Sequence, residues 1–199
     1  MIYLKRMTSL LVGNTIASLG ISMLIKSSLG CFALTAGNMA LANWCGITVG
    51  TAGMIIEVIM LLLATYLGEG IGLTSIVNAI YGSVMIDVFN LIIPVHPIMV
   101  LGILIIPFGW VLMGRAGFGD TGSNILMNAL LKKYGLSISF MRGIQEAVFL
   151  SLGILGARKY VTWFTIVLTF GLGYLLQFCY KIVKYDPTSI NHSFLIKRR

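Results

Sequence analysis

Acidic residues are scarce: six Asp and Glu stand beside 14 Lys and Arg in 199 residues. Charged residues of both signs make up only 10% of the chain, where a soluble domain carries about 25%. So little polar surface cannot clothe a water-soluble globule. Histidine is nearly absent, and His96 and His192 both fall outside the long apolar runs. The interior therefore lacks the commonest general base and metal ligand. The three cysteines, Cys31, Cys45 and Cys179, are scattered, with no Cys-x-x-Cys pair and no neighbouring histidine. Zinc and redox sites need clustered ligands. No metal, no cofactor and no catalytic set is expected, and the chain is not read as an enzyme.

What is abundant is hydrocarbon. Apolar residues make up 58% of the chain, and the mean hydropathy is +0.96. A lipid bilayer is the expected solvent and the first partner. The net charge of +8 invites a nucleic-acid reading, but the basic residues sit at the ends of apolar runs rather than on one face among aromatics. That is how orientation signals are placed in membrane proteins, and no nucleic-acid partner is expected.

A spanning helix needs roughly 20 mostly apolar residues. Six stretches qualify, at about 7–26, 48–67, 72–94, 98–114, 137–157 and 161–181. Lys5 and Arg6 ahead of the first imitate a signal peptide, but no small-residue cleavage site follows, so that helix is read as retained. With the N-terminus inside, 11 Lys and Arg fall on the inner side and three (Lys26, Arg158, Lys159) on the outer. Both termini, including a tail at 185–199, are expected in the cytoplasm. The Asn191-His192-Ser193 sequon then falls on the wrong side to matter.

Two intervals between spans, 31–45 and 120–134, each end at a glycine, Gly46 and Gly135. Asp120, Thr121 and Ser123 open the second and are good N-cap residues. Both read as half-helices too short to span, lying flat at the interface or dipping inward. Gly117 to Gly122 spells the letters G-x-G-x-x-G, but without a preceding strand this is a chain break, not a dinucleotide site.

The chain repeats at an offset of 89 without a gap: Gly13 falls on Gly102, Gly20 on Gly109, Gly30 on Gly119, Gly46 on Gly135, Thr48 on Ser137 and Glu57 on Glu146. Matches among glycines are cheap in apolar sequence. Two of only six acids landing on each other are not. Each half, about 7–94 and 98–184, holds three spans, an odd number, so the second must enter the membrane from the opposite side. The expected fold is all-α: a single polytopic membrane domain of six transmembrane helices, built as two inverted three-helix repeats with short intervening half-helices. Inverted repeats are common in secondary transporters, whose paths lie near midplane between the repeats.

Glu57 follows Thr48 by nine residues, about 13 Å along a helix, and Glu146 lies equally deep after Ser137. Asp87 is also well inside its span. Ionisable groups at such depth are expensive and mark pathways, proton relays or ion pairs. Arg142, four residues before Glu146, can pair with it on one helix face. Glu57, Asp87, Glu146, Arg142, Asp120, Asn38 and Asn78 form the candidate substrate or ion path. Asn14, Ser18, Gly50, Gly53 and Gly82 read first as packing seams and second as pore lining.

Several segments carry a resemblance. They are Lys26-Ser-Ser-Leu-Gly30, Gly46-Ile-Thr-Val-Gly50-Thr51, Gly72-Leu-Thr-Ser-Ile-Val-Asn78-Ala with Gly82 and Asp87, Gly119-Asp120, and Gly135-Leu-Ser-Ile-Ser139 with Arg142, Glu146 and Gln177. The chain resembles the YczE/YyaS/YitT-like membrane proteins of bacteria over nearly its whole length. The resemblance implies an inner-membrane protein of an uncharacterised family and supplies no substrate. Members carry a Pro-Trp-Asp-like segment after the first glycine. Here Cys31-Phe32-Ala33 lacks that acid, while Asp120 keeps one in the second half.

The expectation is a small transporter or channel-like protein moving a small solute or ion between the repeats, with proton coupling through a buried acid. The rival is a non-transporting module or accessory subunit of a larger membrane complex. Six helices in 199 residues enclose little volume, which leaves a homodimer open.

Overall fold

The computed structural model describes residues 2–135 and 138–183. Ser137, the 185–199 tail and its sequon lie outside the described residues, as does the side chain of Gln177.

The fold is all-α. Among the described residues eight helices follow one another: α1 (Ile2–Lys26), α2 (Ala33–Cys45), α3 (Val49–Tyr66), α4 (Leu73–Ile92), α5 (Gly102–Arg115), α6 (Gly122–Tyr134), α7 (Ile138–Gly156) and α8 (Trp163–Val183). Short 3-10 turns at Pro97–Leu101 and Arg158–Tyr160 precede α5 and α8. Among the described residues three helices are long and apolar enough to cross a membrane: Tyr3–Lys26, Val49–Tyr66 and Leu73–Ile92. The fourth expected span is a shorter helix of 14 residues, because the chain enters it through the 3-10 turn.

The helices are inside out relative to a soluble bundle. On α3, Ile55, Val58, Ile59, Leu62 and Leu63 are exposed, while Glu57 is 5% exposed and faces inward with Met60, Leu61 and Ala64. On α7, Ile144, Val148 and Leu155 are likewise outside. A contiguous apolar exterior around polar interior groups suits hydrocarbon, not water.

At the centre α1 and α5 cross antiparallel on glycines. Near the start of α1, Ser9 Oγ donates to Leu112 O at 2.9 Å, and Arg6 donates to Ala116 O and Gly117 O at 2.6 and 2.7 Å beyond the end of α5. Further along, Gly13 packs on Gly109 and Gly20 on Gly102. A Cβ at Gly109 would stand 2.5 Å from Ala17 N and 2.6 Å from Gly13 O. Both obstacles are backbone, so only glycine permits this approach.

The short helices pack crosswise between the halves. α2 runs along α7, with Gly37 on Phe149 and Ala36 on Gly153. α6 runs along α3, with Leu126 packed on the cluster that holds Met60 and Ile125 in one cluster with Ala64. Every residue in the second set is the first set's counterpart at the sequence offset. The backbone follows the same register. Ser28 and Gly117 have φ of 59° and 69°, Gly30 and Gly119 of 130° and 96°, and Gly46 and Gly135 both of 66°. Gly46 and Gly135 each end a 13-residue helix in the left-handed conformation, donating to Ala42 O and Leu131 O. That is the usual glycine stop.

Candidate functional site

α6 starts at the middle of α3, not at its end. The N–H of Gly122, first residue of α6, donates to Glu57 Oε1 at 2.6 Å, and Glu57 is the ninth residue of α3. Asn78 Nδ2 donates to the same oxygen at 3.1 Å. Asn78 opens a π-helical segment, Asn78–Gly82, inside α4. Such widened turns often occur at functional positions. A Cβ at Gly82 would stand 2.5 Å from Asn14 Oδ1 and 3.3 Å from Asn78 Oδ1, so this turn also brings α4 close against α1.

The sequence suggested that Asp120 or Thr121 would cap α6. Thr121 occupies the cap position, but its side chain makes no capping bond. Asp120 Oδ1 instead accepts from Thr121 N and Asn124 Nδ2, both at 2.8 Å. The helix start is closed by Glu57, reaching in from another helix. A carboxylate suits that place, because the unbonded amides of a helix start carry partial positive charge.

In the second half the equivalent acid behaves differently. Glu146 Oε1 lies 3.3 Å from Arg142 Nε. Arg142 Nη1 also donates to Asn124 Oδ1 at 3.2 Å, which ties α7 to the first turn of α6. The counterpart of Arg142 in the first half is Gly53. Its missing side chain leaves room for Asn38, whose Nδ2 would lie 3.0 Å from a Cβ there.

These groups surround one cavity of about 340 Å³ between α1, α2, α3, α4, α5, α6 and α7. Glu57, Asn78, Asn38, Asp120, Arg142 and Glu146 all line it. Phe32, Trp110 and Phe149 supply its aromatic wall.

Asp87 stands apart. Its Oδ1 accepts from Gly50 N at 2.7 Å and its Oδ2 from the Thr48 hydroxyl at 2.5 Å. Thr48 in turn caps α3 by accepting from Thr51 N at 3.2 Å. Asp87 thus fastens the start of α3 to α4, outside the central cavity, and the structure does not bring it to the other six.

Beside the expected Asn38, the cavity holds Asn14, Thr74 and Gln145, to which the sequence gave no leading role. Asn14 Nδ2, Thr74 Oγ1, Asn38 Oδ1 and Gln145 Oε1 are buried and have no hydrogen-bond partner among the described residues, and all four residues line the cavity. Buried polar atoms are nearly always paired in proteins. Four orphans around one space mark it as a place meant to hold something polar. Asn14 had a visible signal, an amide in mid-span, but it read first as a packing seam. Thr74 had none, because nothing local distinguishes it from other polar residues near helix starts, and Gln145, in mid-helix, was passed over for its charged neighbour Glu146.

Among the described residues no three His, Cys, Asp or Glu side chains are grouped to hold a metal ion. All three cysteines are free, with Cys31 and Cys179 buried and Cys45 exposed.

Comparison with known proteins places residues 4–98 in a match to DUF6198, a family of unknown function. The matched stretch runs from α1 through α4 into the turn before α5. No curated protein and no solved structure matches the chain.

Proposed function

We propose that this protein is a small membrane transporter whose solute path is the central cavity, lying between two inverted halves of three spans each. The observation that carries the reading is the polar cavity at the meeting of the halves. It is lined by two mid-helix carboxylates and by four buried polar atoms without partners. Keeping such groups inside an apolar shell is expensive unless a solute or ion passes among them.

Several features support the inverted arrangement. α1 and α5 are antiparallel, and the pairs Gly13–Gly109 and Gly20–Gly102 exchange under the offset. The packing of α2 on α7 mirrors that of α6 on α3. In this reading α2 and α6 are re-entrant half-helices entering from opposite faces, each with its start near midplane, as in many transporters. α5, α7 and α8 complete the six spans, with both termini in the cytoplasm of a bacterial inner membrane. The likeness to YczE/YyaS/YitT-like proteins fits this placement.

Transport proceeds by rocking of one half against the other. Glu57 is the coupling group, since its carboxylate holds the start of α6 against α3. Protonation weakens the bond to Gly122 N–H and frees the half-helix to move.

The test is reconstitution into proteoliposomes and screening of cationic, anionic and neutral small solutes by solid-supported-membrane currents and by uptake under a proton gradient. The wild type moves at least one class, and Glu57→Gln, present at wild-type level, does not. Loss of folded Glu57→Gln protein would make Glu57 a strut, and a wild type inert to every class would end the reading.

A further inference from the structure

We infer that the solute is a small organic cation, a protonated amine, whose charged end is held between Glu57 and Asp120 and whose hydrocarbon lies against Phe32, Trp110 and Phe149. The inference rests on the central cavity being the solute path.

The charge balance comes first. Three acids face the cavity, Glu57, Asp120 and Glu146, against one guanidinium, Arg142. Arg142 is paired with Glu146, which leaves Glu57 and Asp120 without a cation partner among the described residues. The two are close, since Asp120 stands two residues before Gly122, whose N–H holds Glu57 Oε1. Each presents a second oxygen. The hydrogen bonds of Glu57 fall on Oε1 and those of the Asp120 side chain on Oδ1.

The second observation is independent of charge. Thr74 is 2% exposed, yet its Oγ1 has no hydrogen-bond partner among the described residues. It stands in this same corner. Thr74 lies one turn before Asn78 on α4, and its neighbour Ser75 donates to Asp120 O at 2.7 Å. An ammonium carries three donors and needs acceptors around it. Two free carboxylate oxygens and the Thr74 hydroxyl supply them.

The remaining wall is apolar and aromatic. Phe32 and Trp110 lie with ring centroids 6.1 Å apart. Aromatic faces attract cations as well as hydrocarbon, and about 340 Å³ accommodates a solute of a few carbon atoms.

The experiment uses the purified full chain with Trp44 and Trp163 replaced by Phe, so that fluorescence reports on Trp110 in the cavity wall. It is titrated with butylammonium chloride, sodium butyrate and potassium chloride at matched ionic strength. A saturable change with butylammonium alone is expected. It weakens at least tenfold in Asp120→Asn and in Glu57→Gln, both of which keep the oxygen that accepts backbone N–H. Thr74→Val, which removes a hydroxyl without a partner among the described residues, folds normally and weakens the response several-fold. No saturable response, an equal response to butyrate or potassium, or a butylammonium response unchanged in all three variants would overturn the assignment. Proteoliposome currents separate the two readings. A Glu57-dependent current carried by butyrate keeps transport and discards the cation, whereas saturable butylammonium binding with no current from any solute keeps the cation site and discards transport.

Discussion

The side chain of Glu57, from the middle of α3, accepts the first backbone N–H of α6 at 2.6 Å. One carboxylate thereby closes a helix start and faces a cavity. The two roles separate by substitution. Glu57→Ala leaves the buried Gly122 N–H and the Asn78 amide without an acceptor, and one unsatisfied buried group costs about 1–3 kcal/mol. Glu57→Gln keeps an oxygen in place and removes the charge. Thermal unfolding in detergent is expected to show a clear loss for Ala and a much smaller one for Gln. Equal melting of Ala and wild type would mean that the link to α6 carries no weight.

The inverted arrangement is testable through a pair of equivalent positions. Cys45 ends α2, Tyr134 ends α6, and both are exposed. With Cys31 and Cys179 replaced by Ser, native Cys45 is expected to react with a membrane-impermeant maleimide from one face of the membrane only. Tyr134→Cys, in a chain also lacking Cys45, is expected to react from the other face only. Labelling of both from the same face would rule out opposite insertion of the halves.

Asp87 has a different fate from the other acids. Its bonds to Gly50 N and Thr48 Oγ1 make it a brace on the α3 start. Loss of a helix cap costs about 1 kcal/mol. Asp87→Ala is therefore expected to lower the unfolding midpoint measurably, while the protein that remains folded transports at close to the wild-type rate. Abolished transport in well-folded Asp87→Ala would return this residue to the solute path, where the sequence alone had put it.

The all-α class and the chain breaks were legible because they rest on local rules: long apolar runs, glycine at helix stops, an acid too deep in a span to be accidental. Glu57 and Glu146 stood out for that reason, as did the Arg142–Glu146 spacing. What could not be read was which partner each buried acid would take. Asp87 and Glu57 look alike in sequence, each a lone acid in a span. Their difference is set by Thr48 and Gly50 in one case and Gly122 in the other, all distant along the chain. The capping of α6 was misread for the same reason. Asp120 and Thr121 have the right chemistry at the right place, but a stronger acceptor arrives from α3. The π segment at Asn78 left no mark, and the residue that Gly82 meets within it, Asn14, is distant along the chain.

Arg142 offers the last test, because it joins two elements at once. It pairs with Glu146 at 3.3 Å on its own helix and donates to Asn124 at the start of α6. Arg142→Leu leaves Glu146 facing the cavity uncompensated and removes a donor from Asn124. Glu146→Leu alone leaves Arg142 its bond to Asn124 but strands the positive charge. The double variant strands neither charge. It is expected to be more stable than the sum of the single losses allows, by about 1 kcal/mol for a pair that is partly open to solvent. A double-mutant cycle of unfolding midpoints in detergent reads this directly. Strict additivity would mean that the two charges are independently solvated, and the pairing that sets Glu146 apart from Glu57 and Asp120 would be lost.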